Sequence, residues 1–218
     1  MKIFKVNNQN PNIKSVKQAS NSLINNGLII YPTDTAYGLG ANSLKTNTVN
    51  KIYKIKKRDF IKPTHVIVRD WKMIEDLTFT NHFAKKLFNN FLPGPLTLIL
   101  KKKSIVPNLL TSDLPTLGIR IPDNNITRLL SRLVDFPYTT PSANVSGEKT
   151  PYSINDINKN LLTKVNVILD SGKLKKIKPS TIIDISCSQP KILRKGPISI
   201  KKIENVLQTK LITNTHTF

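Results

Sequence analysis

Cysteine is nearly absent: Cys187 is the one thiol in 218 residues. That excludes an internal disulfide and any metal site built from several cysteines. The three histidines, His65, His82 and His216, stand at no ligand-like spacing. HxxxH, Walker and GxSxG patterns are missing, so the sequence offers no zinc-protease, P-loop or nucleophile-elbow signature. Long apolar runs are missing too. LIIY from Leu28 and LTLIL from Leu96 have strand length, far below the roughly 20 residues a membrane helix needs. MKIFKVNNQNP at the N-terminus lacks the apolar stretch of a signal peptide, so a cytoplasmic protein with no membrane association is expected.

Acidic residues are scarce, 13 against 34 basic ones, for a net charge of +21. Such a charge fits a surface for nucleic acid or another polyanion. It also fits codon bias, because 28 Lys, 27 Ile and 23 Asn, all with AT-rich codons, fill more than a third of the chain. Arginine is then more informative than lysine. Only six remain, and Arg58, Arg120 and Arg194 fall within distinctive motifs. A planar fork that grips carboxylate or phosphate through two bonds is not replaced by an ammonium.

Periodicity predicts alternating strands and helices. KIFKV (2–6) reads as an edge strand, and 15–26 as a helix stopped by Gly27. LIIY is a buried strand, Val49, Ile52 and Tyr53 mark a helix entering KIKKR, and HVIV (65–68) is a strand followed by Asp70 as an N-cap. A helix carries Phe83, Leu87, Phe88 and Phe91. LTLIL, LGIRI, 165–169, TIIDI and KILR read as strands, and 125–133 and 199–207 as helices. Interleaving of this kind predicts a single α/β domain over residues 1–207 on a mixed, twisted open sheet flanked by helices, with a tail from 208 to 218.

Several motifs carry polar chemistry. YPTDTAYGLG (31–40) places Thr33, Asp34 and Thr35 after a strand, where α/β sheets hold ligands, or else forms an ordinary turn; Gly38 and Gly40 are expected to free the backbone. KIKKRDFIK supplies Lys56, Arg58 and Lys62, either a phosphate site or a solvated helix end. LGIRIP puts Arg120 on an alternating strand, facing a cleft or facing water. PSANVSG offers Ser142, Asn144 and Ser146, groups that bind ribose or phosphate, or cap a turn. PSTIID adds Ser180, and LRKGP adds Arg194.

Taken together with PGPLT (93–97), these motifs resemble the YrdC/Sua5 family in order and spacing over residues 15–207, and in particular its short YrdC/TsaC type. The resemblance implies a YrdC/RibB-like fold with a large basic cleft, and a nucleotidyltransferase. That enzyme makes threonylcarbamoyl-adenylate and pyrophosphate from L-threonine, bicarbonate and ATP, with Mg²⁺ accompanying the nucleotide, for t6A modification of tRNA. It implies ATP contacts at Lys56, Arg58, Lys62, Thr116, Asn144 and Arg194. Threonine contacts are implied at Thr35, Arg120, Ser142 and Ser180. Ile67 stands where many members have a histidine, and His65 is the histidine nearby. No catalytic nucleophile is expected, because the substrate supplies it. The implied partners are the small substrates, downstream t6A transferase proteins and, weakly, RNA or tRNA. The alternatives are a YciO-like paralogue and a non-catalytic RNA-binding protein.

Overall fold

The computed structural model describes residues 1–213; residues 214–218, including His216, lie outside the described part. The first half runs β1 (Lys2–Lys5), α1 (Ile13–Ile24), β2 (Ile29–Pro32), β3 (Tyr37–Gly40), α2 (Thr46–Lys56), β4 (Val66–Ile67), α3 (Trp71–Leu77), β5 (Thr78–Phe79) and α4 (His82–Phe91). It continues through β6 (Leu96–Lys102), α5 (Asn108–Thr111), β7 (Thr116–Arg120), α6 (Asn125–Arg132) and β8 (Tyr138–Thr139). A 3₁₀ turn at Ile154–Asp156 leads to α7 (Lys159–Leu162), β9 (Val167–Asp170), β10 (Thr181–Asp184), β11 (Lys191–Arg194), α8 (Ile200–Leu207) and β12 (Ile212–Thr213).

Helices begin and end for local reasons. Asn12 caps α1 by accepting from the Lys14 and Ser15 amides, and the helix buries Val16, Ala19, Ser20 and Leu23 along one stripe. Asn26 rather than Gly27 takes the left-handed conformation that ends it, at φ 58°. Asp70 caps α3 by accepting from the Met73 amide, as its position predicts. Lys57, left-handed at φ 46°, closes α2 and turns the chain sharply before Arg58.

The strands form two mixed ladders rather than one open sheet. One has the order β1-β9-β2-β3; the other runs β12-β11-β10-β6-β7-β4-β8, with β5 on β6. Bridges Gly38↔Ser142 and Asn42↔Tyr138 join them, so the outer edge of β3 runs along residues 137–143. YGLG is therefore a strand and not a turn. A Cβ on Gly38 would lie 3.0 Å from the Tyr31 ring, and one on Gly40 2.8 Å from Ile29. The glycines make room for side chains across the hairpin. Within the segment expected as a tail, Ile212 and Thr213 pair in parallel with Lys191 and Ile192.

Three apolar clusters fill the spaces between sheets and helices. The largest lies under α3, α4 and α8 against β6 and β7. A second packs α1 and α6 on β2 and β9. The third sets α2 and α7 against the β2–β3 hairpin. Together they leave one concave seam where the two ladders meet.

Candidate active site

The seam is a cleft of about 230 Å³, bordered by the β2–β3 hairpin, the start of β4, the end of β7, the segment after β8, and the facing ends of β10 and β11. Six of the residues expected from the motifs line it: Thr35, Arg58, Arg120, Ser142, Ser180 and Arg194. Four do not. Lys62, at the rim, is exposed and accepts through its carbonyl from Arg58 Nε (3.0 Å). Lys56 and Asn144 lie behind the wall. Thr116 opens β7 opposite Lys101, at the far end of the strand from Arg120. Four residues of strand separate them by about 13 Å.

Arg120 is held from the hairpin. Its Nη2 donates to Asp34 Oδ1 at 2.7 Å, and Nη1 and Nη2 each donate to Thr35 Oγ1 at 3.3 Å. Thr33 Oγ1 donates to the Ala36 carbonyl (2.7 Å) and fixes this turn. Burial pushes the Asp34 carboxyl upward, and Arg120 pulls it back only in part. Asp34 Oδ2 and Arg120 Nε are buried without hydrogen-bond partners among the described residues. Buried polar atoms are ordinarily satisfied, and of these two residues Arg120 lines the cleft.

Arg194 spans the opposite side. Its Nε donates to the Ser180 carbonyl and Nη2 to Ser180 Oγ, both at 3.0 Å, and Ser180 Oγ lies 2.8 Å from Thr97 Oγ1. Burial, then Arg120, lowers the Arg194 guanidinium to about 10, leaving it charged at neutral pH. Arg58 donates to the Lys62 and Pro63 carbonyls (3.0 and 2.9 Å), tying down the 59–63 loop. Three guanidiniums thus converge on one cavity, an arrangement suited to a polyanion.

Lys56 does different work from Arg58. Lys56 is 2% exposed, and its ammonium donates to the Ser142 carbonyl and to the Asn144 carbonyl and side-chain oxygen. Ser142 Oγ donates to Asn144 Oδ1 (2.6 Å), and Asn144 Nδ2 to the Glu148 carbonyl (2.6 Å). The PSANVSG loop is thereby fastened to the end of α2. Burial, and secondarily Arg58, lower Lys56 to about 7, while the three acceptor oxygens favour the ammonium.

Several lining residues escape sequence reasoning. His65 lies on the cleft floor against Gly118, where a Cβ would come within 2.3 Å of its ring. Ile67, two residues on, is 1% exposed and packs in the apolar cluster of Tyr31 and Tyr138. Thr64 and Thr140 also line the cleft, with buried hydroxyls that have no partner among the described residues. Nothing in HVIV or YTT shows which face turns to the cavity.

Burial, then Arg194, Arg120 and Arg58, push His65 down to about 3. Its folded value is therefore below the roughly 6.5 of the unfolded chain. The unfolded state takes up a proton first, so the contribution to stability is complete above about 6.5 and is lost as pH falls toward 3. His65→Gln is expected to flatten the pH dependence of the urea midpoint across that window. An unchanged slope would place the proton uptake elsewhere.

Among the described residues, no helix is long and apolar enough to cross a membrane. Residues 21–196 match the family model Sua5_yciO_yrdC, described as telomere recombination. A putative threonylcarbamoyl-AMP synthase of Methanocaldococcus jannaschii is 42% identical over 203 residues, covering 93% of this chain and 95% of the relative. The structure of Pyrococcus abyssi Sua5 complexed with L-threonine superposes with a TM-score of 0.90 at 31% identity, over 97% of this chain and 62% of that one. Escherichia coli YciO superposes at 0.84 with 29% identity, over 93% of this chain and all of that one. The chain spans about half the length of the Pyrococcus abyssi synthase it matches, 53%. By the match over most of its length and by these relatives, the chain belongs to the Sua5/YciO/YrdC family.

Proposed function

We propose that the protein is an L-threonylcarbamoyladenylate synthase, a nucleotidyltransferase acting on L-threonine, bicarbonate and ATP, whose product serves t6A modification of tRNA. The observation that carries this reading is the convergence of Arg58, Arg120 and Arg194 on a cleft walled by the hydroxyls of Thr35, Thr64, Thr140, Ser142 and Ser180. Anionic reactants need that charge, and an amino acid with a hydroxyl side chain needs those partners.

The substrate's own amine is the nucleophile. The free amine joins the carbon of bicarbonate, one of its protons leaves with the bicarbonate hydroxyl as water, and a carbamate that keeps one N–H forms. A carbamate oxygen then attacks the α-phosphorus of ATP, and the bond to the β-phosphate oxygen breaks to release pyrophosphate. Protein groups align the reactants and offset charge. Arg120 meets the threonine carboxylate through the N–H groups its neighbours leave free, on Nη1 and Nε, because Asp34 and Thr35 occupy Nη2. Thr35, Ser142 and Ser180 surround the rest of the amino acid. Arg58 and Arg194 face the phosphates, with Lys62 at the rim, and Mg²⁺ arrives on the triphosphate. Lys56 and Asn144 shape the loop that presents Ser142.

Pyrophosphate release that depends on threonine, bicarbonate and ATP together, without RNA, is the expected result. A YciO-like paralogue would lack the threonine dependence. An RNA-binding protein would release none and would bind RNA with a steep salt dependence.

Arg58→Ala is expected to weaken ATP binding at least tenfold more than Lys57→Ala, since Arg58 lines the cleft and Lys57 does not. Equal ATP affinities for the two variants, measured calorimetrically, would remove Arg58 from the phosphate site.

A further inference from the structure

The three arginines outside the motifs, Arg69, Arg128 and Arg132, all line a second cavity of about 160 Å³. Half of the chain's arginines, in a sequence with 28 lysines, thus surround one hollow that neighbours the motif cleft without sharing a lining residue with it. Arg128 and Arg132 stand one turn apart on α6, both exposed. Among the described residues neither side chain has an ion-pair or hydrogen-bond partner. Arg69 donates from Nε to Asp70 Oδ2 (2.8 Å), and its Nη1 lies 3.6 Å from Asp135 Oδ1. Three arginines therefore line the hollow with one carboxylate, Asp70, and the second acid beside Arg69, Asp135, is 99% exposed.

The floor is apolar, made by Ile67, Val68, Phe88, Leu92 and Ile121. It lies just beyond the carboxyl ends of the parallel strands β4 and β7, the end of an α/β sheet at which ligands gather. A dry apolar cavity of about 150 Å³ holds one benzene-sized group. The hollow, of similar volume, therefore has room for one apolar side chain. Arginine at its mouth suits carboxylates gripped by planar forks.

We infer that this cavity docks an acidic segment of a partner protein, with one aromatic or branched aliphatic side chain seated on the apolar floor and flanking carboxylates on Arg128 and Arg132. The net charge of +21 favours such a partner at long range. The inference does not rest on the synthase reading, because the cavity shares no lining residue with the motif cleft.

The test uses the full ¹⁵N-labelled chain and an acetylated, amidated peptide, Glu-Glu-Phe-Glu-Asp. Saturable amide shifts confined to Val68, Phe88, Ile121 and Ser131 are expected. Replacing the peptide's Phe by Ala, or its acids by their amides, should each weaken binding at least tenfold, as should Arg128→Glu with Arg132→Glu. The two substitutions are at exposed sites, and unchanged thermal unfolding and pyrophosphate release would confirm an intact protein. Absence of saturable shifts would overturn the inference. So would equal affinity for the Ala peptide, which would mark a simple anion site, or tighter binding there of a single-stranded uridine oligomer.

Discussion

Arg120→Ala is expected to abolish measurable threonine binding and to destabilise the fold by about 3–5 kcal/mol, the cost of leaving one member of a buried ion pair without the other. The pair is well buried: both side chains are 8% exposed, and Arg120 Nη2 lies 2.7 Å from Asp34 Oδ1. With the guanidinium gone, the largest influence opposing the burial that already pushes Asp34 upward is lost, and only backbone hydrogen bonds from Asp123 and Asp34 remain against it. Its folded value then lies above its unfolded one, so the contribution to stability is present below the unfolded value near 3.9 and is lost as pH rises through the folded one. Acidification should accordingly restore part of the lost stability in the variant. Arg120→Lys separates binding from folding. An ammonium can neutralise Asp34 but lacks the guanidinium's further in-plane donors for Thr35 and a carboxylate, so threonine affinity should fall at least tenfold while ATP affinity holds. Calorimetry with each substrate reads this directly. Threonine affinity within about twofold of the wild type, far less than the 1.4 kcal/mol of a tenfold change, would exclude Arg120 from the amino-acid site.

The helices are legible in the sequence because their apolar residues recur with the helical period, as Val16, Ala19 and Leu23 do in α1, and because Asp70 caps as its type predicts. β3 is not. A strand that reads YGLG lacks the branched side chains that mark strands, and the reason for its glycines lies across the hairpin in Tyr31. The division into two ladders is equally hidden, since it depends on how residues 137–143 meet β3. In the cleft, Thr35, Arg58, Arg120, Ser142, Ser180 and Arg194 come together as the motifs imply. His65 is noticed only as the histidine near Ile67, and that it, Thr64 and Thr140 face the cavity is not legible, because a strand's alternation does not say which face is wet. The separation of Lys56 from Arg58 has a local cause. Lys56 ends α2, Lys57 adopts the left-handed conformation, and Arg58 leaves in a new direction. Two residues that read as one cationic signature consequently face opposite sides of the same wall.

That separation leads to the second large effect. Lys56→Met keeps the length and the apolar stem of the side chain and removes only the ammonium. The Ser142 and Asn144 carbonyls and Asn144 Oδ1 then lose a donor inside a buried wall. Asn144 Oδ1 keeps Ser142 Oγ and the Ser142 carbonyl keeps the Asn144 amide, so the Asn144 carbonyl is left unsatisfied, at a cost of about 1–3 kcal/mol unless the loop opens to water. Opening the loop displaces Ser142 and Asn144 together, because Ser142 Oγ donates to Asn144 Oδ1. The variant should therefore lose threonine and ATP affinity in parallel, by at least tenfold each, whereas Arg58→Ala should act mainly on ATP. Faster amide exchange over residues 142–148 is expected in Lys56→Met and not in Arg58→Ala. If Lys56→Met weakened ATP binding alone, with protection of the loop intact, the ammonium would be contacting phosphate directly. Its three bonds to the loop would then be a resting arrangement that nucleotide displaces. The two outcomes differ in which substrate is affected and in whether the backbone moves, so binding and exchange measurements on one variant decide between them.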